Sequence, residues 1–413
     1  MLRRVMILGA GFEFCGLVIK AKQMGCYVVV CDGYADAPAK KLADKAYTVD
    51  VREIDAIADI CKQERIDNII TSFSDILLEC MVKISYAAGL QCYIKPEMLS
   101  AYREKSVTKE ICQKVGIRTP RFAVLEEDFC EEAVAKFVYP CVLKPINGYG
   151  SRGIQVVYSI DELKNKFGQA DIYKKGKILI EEMSHGQELN VMGYVIDGNV
   201  HIISIADRNT QQLWHDFVPV LYSVAYPSRI YDEVYSAVVE MLNKFVAYTG
   251  QKFGPIATQA FWTGSEIEVC EIAGRYFGFE HELAMYCNGI DIEQLLLDQR
   301  YESKTAVDTV RKLKAKGDNY ATGIYLNTYK KGVVCDETSV SVLSEMPEVK
   351  EHVLFYRNGE SVDKFGPKQY AVRYYLVSDS EKKLQEAEKR IYQEASIKGE
   401  NGEELLWTPQ INI

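Results

Sequence analysis

The chain has 413 residues, room for two to four domains at roughly 150 residues each, and its 48% hydrophobic and 26% charged residues exclude disorder and low complexity. With 58 acidic against 49 basic residues the net charge is −9 and no tail carries it, which argues against a protein that works on the phosphate backbone of nucleic acid. The twelve cysteines stand singly in apolar segments without a C-x-x-C pair, and the five histidines form no H-x-x-x-H pair, so a reducing, cytoplasmic setting is expected and a structural zinc site is not. The first apolar run, about five residues before a glycine, is too short for the core of a signal peptide. No apolar stretch of 18 residues predicts a membrane span.

In chain order, Val5 to Leu8, Tyr27 to Cys31, Ile69 to Thr71 and Cys92 to Lys95 read as strands, and Gly16 to Met24 and Ile54 to Gln63 as amphipathic helices. Strands separated by such helices imply a parallel sheet with right-handed crossovers. Gly9-Ala10-Gly11, with Asp32 closing the second strand, resembles the opening of a dinucleotide-binding turn. The next glycine, Gly16, comes too late for that geometry, so a strand-to-helix turn that needs small residues is the preferred reading. Ser72-Phe73-Ser74-Asp75 follows a parallel strand, where open sheets bind ligands.

Lys105 to Gly116 is a helix closed by glycine, and Pro120 marks entry to a new unit. Residues from about 118 to 184 read as strand, helix, strand, loop, strand, helix, strand. Glu188 to Ala206 holds two apolar runs around Asp197-Gly198, a two-residue hairpin turn. Asp207-Arg208-Asn209 then meets substrate or phosphate, or is a solvated turn, and Trp214-His215 belongs to a candidate specificity loop. Tyr231 to Tyr248 is an amphipathic helix, and Ile256 to Trp262 and Ile267 to Ile272 pair across Thr263-Gly264-Ser265. Glu280-His281-Glu282 either lines an acceptor pocket or caps a helix running to Gln294. A charged helical connector, Arg311 to Gly317, leads to a last stretch that reads as a separate α+β unit.

The segment richest in chemistry is Tyr139-Pro140-Cys141-Val142-Leu143-Lys144-Pro145, followed by a loop with Gly148, Gly150, Ser151 and Gly153. Glycines let backbone N–H groups close on phosphate oxygens, and Lys144 adds a point charge to the same phosphates. Taken alone, such a loop is structurally bland as often as functional. Its surroundings decide: Ile178-Leu179-Ile180-Glu181-Glu182-Met183-Ser184 is an apolar strand ending in two acids and a short hinge, with Glu188 beyond. An adenine edge needs one acceptor and one donor from such a hinge, and a ribose needs an acid that accepts its hydroxyls. Gln259 and Glu271, on paired strands, bring two oxygen-bearing side chains together as Mg²⁺ bridging nucleotide phosphates requires.

Taken together, these motifs and their order resemble the ATP-grasp superfamily of ligases over nearly the whole chain, in the manner of biotin carboxylase, the carbamoyl phosphate synthetase large subunit and phosphoribosylglycinamide synthetase. The resemblance implies an α/β and α+β multidomain ATP-grasp fold. Its parts would be a nucleotide-fold-like parallel-sheet domain at 1–100, a helix and lid at 101–185, a core with the metal hairpin at 186–310 and a C-terminal α+β domain at 318–413. It implies ATP with Mg²⁺, or Mn²⁺, as cofactors: Lys105, Lys144 and the glycine loop on the phosphates, Glu181 with the backbone of Glu182 and Ser184 at the adenine, Glu188 at the ribose, and Gln259 and Glu271 on the metal. Arg275 would steady the transferred phosphate or the substrate carboxylate. The implied reaction is C–N bond formation between small-molecule carboxylate and amine substrates through an acyl phosphate, in a cytoplasmic enzyme that needs neither nucleic acid nor membrane and admits a homodimer.

Two positions depart from the family pattern. Glu271-Ile272-Ala273-Gly274-Arg275 stands where relatives read Glu-Ile-Asn-Pro-Arg, which removes an asparagine ligand, and Gln259 stands where many carry an acid. Metal affinity is therefore expected to be weaker, or a water to replace the missing amide. A nucleotide-binding module with reduced turnover is the alternative, as is a purine-biosynthesis-like or carboxylase-type enzyme, although the lid loop lacks the glycine run of a biotin carboxylase. The net charge implies that Lys105, Lys144, Arg275 and Mg²⁺ form a positive pocket within a negative exterior.

Overall fold

The computed structural model describes residues 2–126, 131–146, 153–169, 177–215, 217–363 and 370–409. Its N-terminal unit is a four-stranded parallel sheet of β1 (Arg4–Leu8), β2 (Tyr27–Asp32), β3 (Lys45–Thr48) and β4 (Asn68–Ile70), in the order β3-β2-β1-β4. The helices α1 (Cys15–Gln23), α2 (Ile54–Gln63) and α3 (Asp75–Ala87) are the crossovers. Val5 to Leu8 and Val28 to Cys31 are fully buried, as strands covered on both faces must be. Asp32 accepts from Ala10 N at 3.1 Å and from Tyr34 N at 2.8 Å, so its carboxylate ties down the glycine turn.

Cys92 to Lys95 is not a strand, contrary to the sequence reading. It is an irregular segment in which Ile94 is buried and Tyr93 OH donates to the Gly274 carbonyl at 2.7 Å, docking the N-terminal unit on the core. A short apolar run is driven to bury itself but does not specify a ladder. Beyond it come α4 (Leu99–Arg103) and α5 (Lys105–Lys114).

The lid is a four-stranded antiparallel sheet in the order β5-β8-β6-β7, from β5 (Phe122–Leu125), β6 (Cys141–Pro145), β7 (Gln155–Val157) and β8 (Ile178–Glu182). With α6 (Ile160–Gln169) it encloses its own small core of Leu125, Cys141, Leu143, Val157, Leu163 and Ile180. The helix expected after β5 is only a three-residue 3₁₀ turn, Glu131–Ala133, among the described residues.

The body is one long antiparallel sheet. Strands β9 (Gln187–Ile196), β10 (Asn199–Gln211), β11 (Val220–Tyr226), β12 (Phe253–Trp262) and β13 (Ile267–Ala273) form its first part, with α7 (Tyr231–Thr249) packed on it. Asp197, at φ 51°, and Gly198 make the turn between β9 and β10, as the sequence predicts. The expected single helix after Glu280 is two, α8 (His281–Asn288) and α9 (Ile292–Tyr301). Gly289 ends the first at φ 79°, and the Asp291 side chain caps the second by accepting from Gln294 N. The connector is helical only to Lys312, the end of α10 (Ser303–Lys312).

The C-terminal stretch adds β14 (Tyr320–Thr328), β15 (Gly332–Asp336), α11 (Thr338–Ser344), β16 (Val349–Leu354), β17 (Ser361–Val362), β18 (Val372–Ser378) and α12 (Glu381–Glu394). It does not stand apart as a separate sheet. β14 pairs with β11 and β18 with β14, giving the continuous order β13-β12-β9-β10-β11-β14-β18-β16. Strand alternation assigns Tyr325 to the main core and its neighbours Ile324 and Leu326 to a second core under α11 and α12.

Candidate nucleotide and substrate site

The lid, the N-terminal unit and the long sheet enclose a cavity of about 550 Å³. Five separate stretches deliver its chemistry: Lys105 at the start of α5, Lys144 on β6, Glu181 to His185 at the end of β8, Gln259 and Glu271 on β12 and β13, and Arg275 just beyond. Gln259 and Glu271 are direct cross-strand partners, so the pleat puts both side chains on one face. Asn190 on β9 is the next partner in the same row, beside Gln259. Glu188 lies two residues earlier on the same face and takes an ion pair from Arg208 on β10 at 2.7 Å and a hydrogen bond from the Gln259 amide.

Lys144 contacts Glu181 Oε1, and the buried Lys109 of α5 holds the other carboxylate oxygen at 2.8 Å. Glu181, expected at the adenine, is thus gripped by two lysines. Burial pulls both ammonium pKa values down. The Glu182 carboxylate accepts from Val138 N, and the N–H groups of Glu182 and Met183 donate to the carbonyls of Arg121 and Pro140. Ser184 lines the cavity after them.

Arg275 reaches back across the domain interface to Asp75, making a two-pronged pair at 2.8 and 2.6 Å. Burial pushes the Asp75 carboxyl up, but the Arg275 guanidinium, helped by Arg103 and Lys105, outweighs it and holds the group below its ordinary value. Glu280 is buried at the far side, accepting from Asn190 Nδ2 at 2.7 Å and from Tyr226 OH at 3.1 Å. Burial pushes its carboxyl up to about 7 despite Arg208 nearby.

Of the residues singled out from sequence, Lys105, Lys144, Glu181, Glu182, Ser184, Glu188, Gln259, Glu271 and Arg275 all line this one cavity. Gly148, Gly150 and Ser151 lie outside the described residues, while Gly153 is described, at φ 74°. Arg208 and Glu280 come to the same cavity from segments where a bland reading had equal standing, and Asp75 comes from the turn after the parallel strand. His215 stacks on Tyr158 of the lid, with ring centres 4.0 Å apart. Sequence reasoning missed Lys109 and Asn190. The signal for Asn190 was available: it is the lone polar residue in the buried run from Leu189 to Ile196.

No group of three or more His, Cys, Asp or Glu side chains able to hold a metal ion occurs among the described residues. The donor set of Gln259 and Glu271, one amide oxygen and one carboxylate facing a cavity, fits a hard cation only when phosphate oxygens and water complete its shell. Ala273, two residues along β13, supplies nothing further.

A parallel nucleotide-fold-like unit, an antiparallel lid and a long antiparallel sheet closing on lysines, a hinge and a carboxamide–carboxylate pair define an ATP-grasp architecture. Residues 137–281 match the ATP-grasp domain family and residues 5–90 the family described as PylC-like, N-terminal domain. The chain thus carries an ATP-grasp domain behind a PylC-like N-terminal domain. It is 25% identical over 289 residues to the formate-dependent phosphoribosylglycinamide formyltransferase of Erythrobacter litoralis, covering 66% of this chain and 70% of that one. Its fold is that of the L-amino acid ligase from Bacillus licheniformis (TM-score 0.81, 20% identity, 97% of this chain and 99% of the other). It is likewise that of phosphoribosylglycinamide synthetase from Anaerococcus prevotii (TM-score 0.75, 17% identity, 96% and 99%). No helix among the described residues is long and apolar enough to cross a membrane.

Proposed function

We propose that the chain is an ATP- and Mg²⁺-dependent carboxylate–amine ligase that works through an acyl phosphate and forms an amide or peptide-like C–N bond. The observation that carries the reading is the convergence of Lys105, Lys144, Gln259, Glu271 and Arg275, from four stretches of chain, on one cavity. A substrate carboxylate oxygen attacks the γ-phosphorus of ATP, the bond to the bridging oxygen breaks, and ADP leaves. An amine nitrogen then attacks the acyl carbon, phosphate departs with the electron pair, and the nitrogen loses a proton.

The protein's part is positioning and charge neutralisation. Lys105 and Lys144 face the phosphates, Glu188 the ribose, and the Glu182 carbonyl and Ser184 N–H the adenine edge, since the Glu182 and Met183 N–H groups are already spent within the lid. Gln259 and Glu271 would hold Mg²⁺ or Mn²⁺, which when bound withdraws charge from the phosphoryl oxygens. Arg275, locked by Asp75, faces the transferred phosphate or the carboxylate. The lid at 101–185 closes over the core at 186–310 and keeps water from the acyl phosphate. The unit at 1–100 and the stretch 318–413 complete the walls.

Retention of both lysines and of a buried, oriented Arg275 supports turnover over a module that only binds nucleotide. Hydroxylamine trapping across a carboxylate library, with ADP release as the second readout, tests this. Hydroxamate formed in step with ADP is expected. ATP binding with neither product from any carboxylate would leave the binding-module reading standing instead.

A further inference from the structure

Asn190 is an anomaly that the ligase reading does not use. It is 3% exposed, it lines the cavity, and its Nδ2 donates to Glu280 Oε1, yet its Oδ1 has no hydrogen-bond partner. A buried carbonyl oxygen left unpaired costs on the order of 1–3 kcal/mol, so its partner is expected from a ligand. That partner must donate a hydrogen. A phosphate or carboxylate would oppose acceptor to acceptor at Asn190 Oδ1.

The surroundings form a corner of fixed shape. Ala206 is the cross-strand partner of Asn190 and puts only a methyl group on that side. Glu280 bridges over it, with one carboxylate oxygen to Asn190 and the other to Tyr226 OH, so its position is set from two strands. Arg208 is paired with Glu188, so although its charge is felt at Glu280 it donates no hydrogen bond to Asn190 Oδ1. Beyond it the cavity wall turns apolar, with Val218, Leu221 and Tyr370.

The sheet order places three chemistries in sequence: the Gln259 and Glu271 pair on β12 and β13, the acceptor corner over β9 and β10, and the apolar wall on β11 and beyond. Resting on the ligase reading, we propose that the carboxylate substrate is an amino acid. Its carboxylate points toward Arg275 and the phosphates, its ammonium is held by Asn190 Oδ1 and Glu280, and a non-polar side chain lies against Leu221 and Tyr370. Asn190 is thus a specificity-determining residue. A corner built to receive an N–H donor should reject the otherwise identical acid that lacks it, because Asn190 Oδ1 then stays buried and unpaired.

The test uses the full chain with MgATP and hydroxylamine, so that no second substrate is needed. The probes are non-polar L-amino acids (alanine, valine, leucine, methionine, phenylalanine) and their des-amino counterparts, and the readouts are hydroxamate and ADP. The expected result is a preference for the amino acid of at least about 100-fold in kcat/KM. Asn190→Leu should bring it below about 10-fold, and Asn190→Asp, which keeps an acceptor, should retain it. Equal turnover of des-amino acids by the unaltered protein would overturn the inference and leave the ligase reading intact. A preference untouched by Asn190→Leu would overturn the assignment of the corner. Should Asn190→Leu fail to fold, the preference of the unaltered protein and its retention in Asn190→Asp decide the matter. Neither product from any probe, together with none from the wider carboxylate library, would overturn the ligase reading and the inference with it.

Discussion

Arg275 and Asp75 are 200 positions apart in sequence and meet through two hydrogen bonds at the boundary between the N-terminal unit and the core. Removing one partner of such a mostly buried pair costs about 3 kcal/mol, the lower end of the usual range because Asp75 keeps some exposure to water. Asp75→Ala is expected to lose that much in urea unfolding and, because Arg275 is no longer aimed, to lower kcat more than ATP affinity. Unchanged kcat in the folded variant would show that Arg275 needs no such anchor. At Glu280 the prediction concerns pH. Its folded pKa, about 7, lies above the ordinary glutamate value of 4.5, so the fold favours the protonated form. The group costs nothing below about pH 4.5, an increasing amount as pH rises toward 7, and a constant amount above, at about 1.4 kcal/mol per pKa unit. Glu280→Gln should therefore gain stability relative to the unaltered protein at pH 8 and show little difference at pH 4.5, read by urea unfolding at both. Lys144 and Arg275 were legible from sequence because each stands in a recognisable run. Lys109 was not, since only a distant partner, Glu181, gives that buried residue its meaning, and Asn190 showed only as a polar break in an apolar run until Glu280 gave it a partner.

The hinge between lid and core turns on Gly186, which sits at φ 121° where any added Cβ would run into the Trp262 carbonyl of β12. A methyl group there meets backbone on one side and an unfavourable φ on the other, and neither can relax by rotating a side chain. Gly186→Ala is expected to displace the segment carrying Ser184 and Glu188, lowering the melting temperature by several degrees and ATP affinity by at least tenfold. Calorimetric titration of the folded variant with full ATP affinity would contradict it. The sequence offered Gly186 only as part of a short hinge; the carbonyl that makes it obligatory comes from a strand 76 residues on. Hairpins such as β9–β10 and β12–β13 were legible because alternation and turn residues are local. The break at Gly289, the irregular Cys92 to Lys95 and the merging of the C-terminal strands into the core sheet were not. Each depends on what a segment packs against, which periodicity leaves open.

At the scale of the whole molecule, the net charge of −9 led to the expectation of a positive pocket in a negative exterior. Among the described residues the cavity wall does carry Arg103, Lys105, Lys144, Arg208 and Arg275, but also Asp75, Glu181, Glu182, Glu188, Glu271 and Glu280. Lys144 is committed to Glu181, Arg208 to Glu188 and Arg275 to Asp75, so protein cations alone make no strongly positive field there. Tetra-anionic ATP then has to be matched by a cation that arrives with it. Binding measured by calorimetry is expected to weaken at least tenfold when EDTA replaces Mg²⁺. It should change little between roughly 50 and 300 mM salt, because charges already paired at contact distance are screened less than a long-range field. Lys144→Glu should weaken MgATP binding by at least a further tenfold, since it removes the point charge at the phosphates and sets a second carboxylate against Glu181. Equal affinity with and without Mg²⁺, joined to a steep salt dependence, would restore the positive-pocket picture and return the work of neutralising the phosphates to the lysines.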